Sequence, residues 1–584
     1  MWMPSDYGVK VLVVFHPDYI KESNTLAAYE SVLKEEGVPY ASVNVFQLMR
    51  KVPDELVKTV PVVLLPDGIL QNVPKQFGEW IKQYLAQGGN IAVIYDVGIK
   101  DNNGNYMERA TLADIVGLNY ITYHTLAAKA FTYGQLRFVS PEKRDFFQIP
   151  PGKTLDELVL SSYGYGSLQY PVARNVPIRE ISDGAIYAYS DTGKSEALPA
   201  ILLTDYAKGK VLYVNIPLGY LKGNSDDMPL RSILRTYLFT VAEVPHIANV
   251  DQGQGGIVIN WHIDSSVEHA TLPAMQAGGL LRPGLQSSFH VTAGGFRDYP
   301  KDRLGYDAAG AGKDLTLMLK NYGVIGSHGG WAHNWFIENI LNGSLNEQDI
   351  RKYIALNNDV LEKITGNKVT EYSAPGGLHP QPVMTHMLGD MGIIAYYYTG
   401  DTGSAPNRTF YDGKMVSDKV IAFPVMPLGR TASLGEMQDL HYTQDKVGEW
   451  LGDILAYAAR NRTVRLVYSH PYDIGEYPTA IKEFLDKAEA LQAAGEISVR
   501  PMSYYASFFL RFLKTTYSFD LHDKQLVVSL KNPEGLAGIT VALPKAKYQK
   551  PNWEGGRVKE DERYYYLVVP DGQETEKIIT INSR

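Results

Sequence analysis

Two histidines, His328 and His333, flank the loop Gly329-Gly330-Trp331-Ala332. They follow Tyr322-Gly323-Val324-Ile325-Gly326, an apolar run that reads as a buried strand entering a tight turn. Imidazole is a good ligand for borderline divalent metals, and a strand end with its loop can aim two rings at one point. A helical zinc site places its histidines at i and i+4, and the spacing here is one residue longer, so a loop geometry is implied. Taken alone, the pair also fits two loop histidines bonded to backbone or water.

The same kind of position recurs along the chain. Asn260-Trp261-His262-Ile263-Asp264-Ser265-Ser266 closes one apolar run, and Ser288-Phe289-His290-Val291-Thr292-Ala293-Gly294 closes the next. Ser373-Ala374-Pro375-Gly376-Gly377 ends another, and Leu466-Val467-Tyr468-Ser469-His470-Pro471 ends the last. A carboxylate and several histidines therefore gather at strand ends, where a parallel barrel carries its chemistry.

The elements that must position these groups alternate between strand and helix. Strands are predicted at Gly256–Ile263, Ser287–Thr292, Gly323–Gly326, Tyr372–Ala374, Ile393–Tyr398, Val420–Phe423 and Arg465–Tyr468. Helices are predicted at Leu315–Asn321, Glu347–Thr365 and Lys446–Asn461. This alternation predicts a distorted (β/α)7 barrel over residues 249–515.

Before it, residues 1–248 read as α/β, with buried strands at Val9–Phe15, Pro61–Gly68 and Asn90–Asp96, and later strands at Ala200–Leu203 and Lys210–Ile216. Helices fit Asn24–Glu36, Phe77–Ala86 and Pro229–Glu243, and Val244–Gly256 reads as a linker. After the barrel, residues 516–584 hold short strands with turns between, which predicts a small β-sandwich. The fold class expected is thus α/β multidomain.

Composition removes other functions. The 584 residues require about two to four domains. Net charge is −8 without a basic block, so nucleic acid is not an expected partner. No apolar run reaches the length of a membrane span, and Met1-Trp2-Met3-Pro4-Ser5-Asp6 does not read as a signal peptide. With no cysteine, disulfides, thiolate zinc sites and cysteine nucleophiles are excluded. The 40 tyrosines, against 18 phenylalanines, offer flat faces with polar tips that suit sugar rings, or ordinary packing.

In order and spacing, the strand-end motifs resemble the polysaccharide deacetylase family (NodB-type, carbohydrate esterase family four) over about 255–500. That family's motifs are Thr-Phe-Asp-Asp-Gly, a His-x-x-x-His turn, Arg-x-Pro-x-Gly and Leu-x-x-His. Here they correspond to His262-Ile263-Asp264-Ser265, His328 through His333, Ser373-Ala374-Pro375-Gly376-Gly377, and Leu466 through His470. The resemblance implies a divalent metal, zinc first, on Asp264, His328 and His333. It implies His470 as the acid that protonates a departing amine, with His262, Trp331, Pro375, Gly376 and Tyr468 bordering the substrate.

It further implies a carbohydrate polymer as substrate, an N-acetylated bacterial surface or exopolysaccharide glycan. Export or assembly proteins would be partners, at a periplasmic, cell-surface or secreted location, with the cytoplasm as the alternative.

The departures are specific. Ile263 stands where the family has its base, and Ser373 where it has the arginine that orients that base. In another register Asp264 is the base, Ser265 the lost ligand, and His262 helps the metal. Asp401 is the substitute base carried forward, with Glu268 and Asp473 as other candidates; His290 and His379 read as loop-bonded neighbours. The rival readings are a non-catalytic glycan-binding relative and a glycosidase, the latter needing a second carboxylate near Asp264.

The first domain loosely resembles class I glutamine-amidotransferase-like, or flavodoxin-like, domains through its three early strands and the Gln87-Gly88-Gly89-Asn90 turn. That family's nucleophile is cysteine, so a structural or sugar-binding role is expected instead.

Overall fold

The structure is a computed structural model that describes residues 8–21, 24–121, 130–193 and 197–584. The expectation drawn from Met1–Asp6 lies outside the described residues. Among the described residues no helix is long and apolar enough to cross a membrane.

In the first unit five parallel strands run in the order Tyr40–Asn44, Val11–Phe15, Val62–Leu65, Asn90–Ile94, Gly209–Val214. Alternation sorts their side chains onto two faces. Val11, Val13, Val62 and Leu64 pack with Tyr29, Val32 and Leu33 of the helix Thr25–Glu35. Leu12, Val14, Val63 and Leu65 pack with Phe77, Trp80, Ile81 and Tyr84 of the helix Phe77–Ala86.

The sheet is parallel only over these five strands, so the doubly wound, flavodoxin-like expectation is not supported. Beyond Gly209–Val214 the sheet continues antiparallel through Ala197–Tyr206, Ile186–Asp191 and Phe131–Phe138. The Ala197–Tyr206 and Gly209–Val214 strands are joined by a tight turn, which imposes antiparallel pairing there.

The central unit is a nearly closed barrel of seven parallel strands. They are β1 (Gly255–Ile263), β2 (Ser287–Val291), β3 (Gly323–His328), β4 (Glu371–Ser373), β5 (Ala395–Tyr398), β6 (Ile421–Pro424) and β7 (Val464–Ser469). The order is β6-β5-β4-β3-β2-β1-β7, and a bridge between Val425 and Leu466 joins the ends. Ile257, Ile259, Trp261 and Ile263 of β1 pack into the layer of surrounding helices. Val258 instead joins Leu466, Tyr397 and Phe423 in a core shared with the helix Met502–Phe512.

That helix plugs the floor. Met502 N–H donates to Ser288 Oγ at 3.0 Å, and Ser503 N–H to Glu371 Oε1 at 2.6 Å.

The ends of the chain are woven into the middle. His246–Ala248, within the expected linker, is a strand paired with Thr540–Pro544 in a four-stranded antiparallel sheet. Thr516–His522, Gln525–Lys531 and Glu576–Asn582 form a second sheet, to whose Phe519 O the Val9 N–H donates at 2.7 Å. Both sheets share one core with the barrel floor, so hydrogen bonds and packing cross the boundaries expected at 248 and 515.

A buried charged cluster fastens the first unit to the barrel. Arg231 donates to Asp227, Glu36 and Glu35, each at 2.5 Å, and Arg408, on the β5–β6 connection, reaches Glu35 at 2.8 Å. Burial acts to raise the carboxyl pKa of Glu35 and Glu36, but the adjacent guanidinium charges outweigh it and hold both below the ordinary 4.5. A depressed carboxyl stabilises the fold above its unfolded pKa, and that contribution is lost as pH falls through the folded value. Stability against urea is therefore expected to drop below pH 4.5, followed by circular dichroism. Arg231→Met is expected to cost about 3–5 kcal/mol by the same measurement, because Asp227, Glu35 and Glu36 each lose one of their buried cationic partners.

Candidate metal centre

The site lies at the carboxyl ends of β1, β3 and β7. Trp261 and Ile263 face the helical layer, so period-two alternation turns His262 to the barrel interior. Asp264 follows directly on the rim. His328 ends β3, and His333 opens the helix His333–Leu341. One ligand atom from each of Asp264, His328 and His333 falls within 4.8 Å of the others. All three residues are buried. His333 Nε2 stands 3.2 Å from Asp264 Oδ2.

The imidazoles are oriented from behind. His328 Nδ1 bonds Ser373 Oγ at 2.7 Å, and His333 Nδ1 bonds Asn334 Oδ1 at 2.6 Å. Each ring thereby keeps Nε2 for the centre. Burial, then the neighbouring histidines, lowers the His328 pKa well below its ordinary value, and burial also lowers that of His333, which favours the neutral form that ligation requires.

The donor set fits a divalent cation. Both carboxylate oxygens of Asp264 and Nε2 of His328 are buried without a hydrogen-bond partner. Each such orphan costs about 1–3 kcal/mol, and three at one point are relieved together by one cation. Ser373→Ala is expected to weaken metal affinity by about 10–100-fold without unfolding the chain, read by competition with a chromophoric chelator.

His470 stands on the other wall. Its Nε2 lies 3.8 Å from Asp264 Oδ2, and its Nδ1 bonds Asp473 Oδ2 at 3.0 Å. Ser469 Oγ donates to the same oxygen at 2.9 Å. Burial alone lowers the His470 pKa, but the bond to Asp473 and the charges of Asp264 and Asp473 outweigh it and raise the value. Tyr472 stacks on the His470 ring at 4.9 Å.

The remaining expected residues fall in several places. His262 lies below the centre, its ring 4.3 Å from that of His328 and its Nε2 2.9 Å from Asn260 Oδ1; it is not in the ligand cluster. Tyr468 packs on His262 and Tyr397 at 4.9 and 4.8 Å. Trp331 is half-buried with φ +58°. Pro375 is buried against Gly329, Gly376 is exposed, and a Cβ on Gly329 would meet Pro375 Cγ at 2.3 Å.

His290 pairs with Glu371 at 3.1 Å deep in the barrel, in space left by Gly326, where a Cβ would meet His290 Cδ2 at 2.5 Å. His379 is held by Thr385 at 2.9 Å and stacks on Tyr396.

Asp401 requires correction. Its Oδ1 accepts from Asp227 N–H at 2.9 Å, facing the first unit rather than Asp264 and His470. The backbone turns at Asp401 with φ +50°, which sends the carboxyl into the interface. Burial there raises its pKa to about 7. Glu268 is closer to the centre but committed: its oxygens accept from Ser265 N–H at 2.9 Å and Asp264 N–H at 3.5 Å, so it clamps the strand end. Burial and then the Asp264 charge raise its pKa to about 8.

Sequence reading missed Tyr163. This residue of the first unit bonds Glu436 at 2.6 Å and stands 3.5 Å from the Tyr468 hydroxyl. Arg297 was missed as well, because a loop arginine after Gly294-Gly295 carries no local signal.

No family model matches the chain, and no curated protein matches it. Among solved structures, a β-galactosidase from Bacillus circulans sp. alkalophilus is 14% identical over 41% of this chain and 33% of that one, at TM-score 0.27. This chain thus spans about a third of that enzyme's length. A family 4 carbohydrate esterase from Streptomyces lividans in complex with acetate is 10% identical over 42% of this chain and 91% of that one, at TM-score 0.26. A peptidoglycan deacetylase from Bacillus subtilis is 13% identical over 44% and 93%, also at TM-score 0.26. Likenesses this loose carry no argument, and the site stands on its own geometry.

Proposed function

We propose that the chain is a divalent-metal-dependent hydrolase that removes N-acetyl groups from a glycan, with zinc the first candidate metal. The supporting observation is the convergence of Asp264, His328 and His333 around three orphaned buried atoms, with His470 facing Asp264 across the same space. A divalent ion bound there supplies Lewis acidity toward an amide carbonyl and toward water.

The chain's own groups do the rest. Ser373 and Asn334 fix the two neutral imidazoles. Asp473 holds His470 through Nδ1, so Nε2 can deliver a proton to the departing amine nitrogen. Trp331, Tyr468 and Tyr472 offer partly open rings for sugar faces. In this reading a surface or exopolysaccharide glycan, together with the cysteine-free chain, points to a location outside the cytoplasm.

A second reading, a glycan-binding relative without turnover, is favoured by one observation. Ile263 faces the helical layer, and both oxygens of Glu268 are taken by backbone N–H groups, so neither fills the missing base's role. Acetate release from N-acetylglucosamine oligomers separates the two readings. Release that chelator abolishes and zinc restores supports the hydrolase. Binding without release, at full metal loading, supports the second.

A further inference from the structure

The loop after β2 carries a charge that the chemistry above does not use. Residues 293–302 fold over the first turn of the helix His333–Leu341. Trp335 N–H donates to Arg297 O at 2.9 Å, and Asn334 Nδ2 donates to Asp298 Oδ1 at 2.5 Å. Gly294 approaches Trp331 so closely that a Cβ would fall 1.8 Å from its carbonyl oxygen. Arg297 is thereby fixed beside the turn that presents His333. His333 and Tyr472 rise from opposite walls of the mouth, after β3 and β7.

The carboxylates near it in sequence are committed elsewhere. Asp302 accepts the backbone N–H groups of Arg297, Asp298, Tyr299 and Leu304, and Asp298 holds Asn334. Nε of Arg297 is buried without a hydrogen-bond partner, and no ion pair among the described residues involves this side chain. A half-buried guanidinium without an anionic partner in the protein is available to an anion on a ligand. A guanidinium matches a carboxylate through two parallel N–H bonds, and the half-buried rings of Trp331 and Tyr472 stand at the same rim.

We infer that Arg297 binds a carboxylate on the glycan, so that the substrate is an acidic N-acetylated polymer carrying uronic-acid-type groups; this rests on the deacetylase reading above.

The test uses the full chain bearing His470→Ala, titrated by calorimetry with two hexamers. One is N-acetylglucosamine alone, and the other alternates N-acetylglucosamine with glucuronic acid. The acidic hexamer is expected to bind about tenfold more tightly. Arg297→Gln in the same background is expected to bring the two affinities together, and Arg297→Lys to keep part of the difference, since a lysine retains charge without the fork. Equal affinities in the parent, or a preference that survives Arg297→Gln, overturns the inference. Should Arg297→Gln fail to fold by circular dichroism, Arg297→Lys carries the test, and an undiminished preference there overturns it.

Acetate release by the wild type separates the two proposals. An Arg297-dependent preference without release overturns the deacetylase reading and keeps the carboxylate site. Release without preference overturns the carboxylate site alone.

Discussion

Replacing His328 by alanine is expected to remove the bound metal and lower acetate release by at least about 10³-fold, while the chain stays folded. The magnitude follows from the several kcal/mol that a Lewis acid contributes to charge stabilisation, at about 1.4 kcal/mol per factor of ten. The fold should survive because the change also deletes a buried nitrogen that has no protein partner, Nε2 of His328. Metal per chain by elemental analysis, acetate by enzymatic assay, and far-ultraviolet circular dichroism check the three parts. A variant that keeps its metal and its turnover would show that these side chains hold nothing of consequence.

The second large effect falls on His470. His470→Ala is expected to lower kcat by about 10²–10⁴-fold, the usual range for loss of a positioned proton donor. Metal content should remain that of the parent, since His470 lies outside the ligand cluster. Asp473→Asn is expected to lower kcat in the same direction but less. It removes the carboxylate that holds Nδ1 at 3.0 Å and leaves the imidazole itself in place. Equal metal with a large kcat loss separates a proton donor from a fourth ligand; loss of metal in His470→Ala would assign it to the metal instead.

Much of the barrel was legible because its signals are local. Glu347–Thr365 has the bounds expected from sequence, set by a capping box at Asn346 and Asp349 and by Gly366 in the left-handed region. The strand ends were legible because Trp261, Ile263, Leu466 and Val467 are obligatorily buried, which fixes the register of the polar residues after them. The set Asp264, His328 and His333 was implied by the resemblance to polysaccharide deacetylases, and one ligand atom from each falls within 4.8 Å of the others.

What escaped depends on tertiary direction. Asp401 stands just beyond a barrel strand like the site residues, yet a turn at positive φ aims it at Asp227. Tyr163 comes from a different unit, 305 positions before Tyr468, and no spacing rule spans that separation. His246–Ala248 is too short for periodicity to mark, and its strand character comes from its partner Thr540–Pro544. Residues 131–191 return antiparallel to the sheet through pairings distant in sequence, such as Phe138 with Ala188, which no local pattern marks.

The most direct test of the central claim is the metal content of the purified full chain after zinc loading and removal of free ion, alongside Asp264→Asn and His333→Ala. The account predicts about one equivalent in the parent and strong loss in both variants, as expected for a three-residue protein ligand set. No bound metal in the parent, or an equivalent retained by both variants, would contradict it.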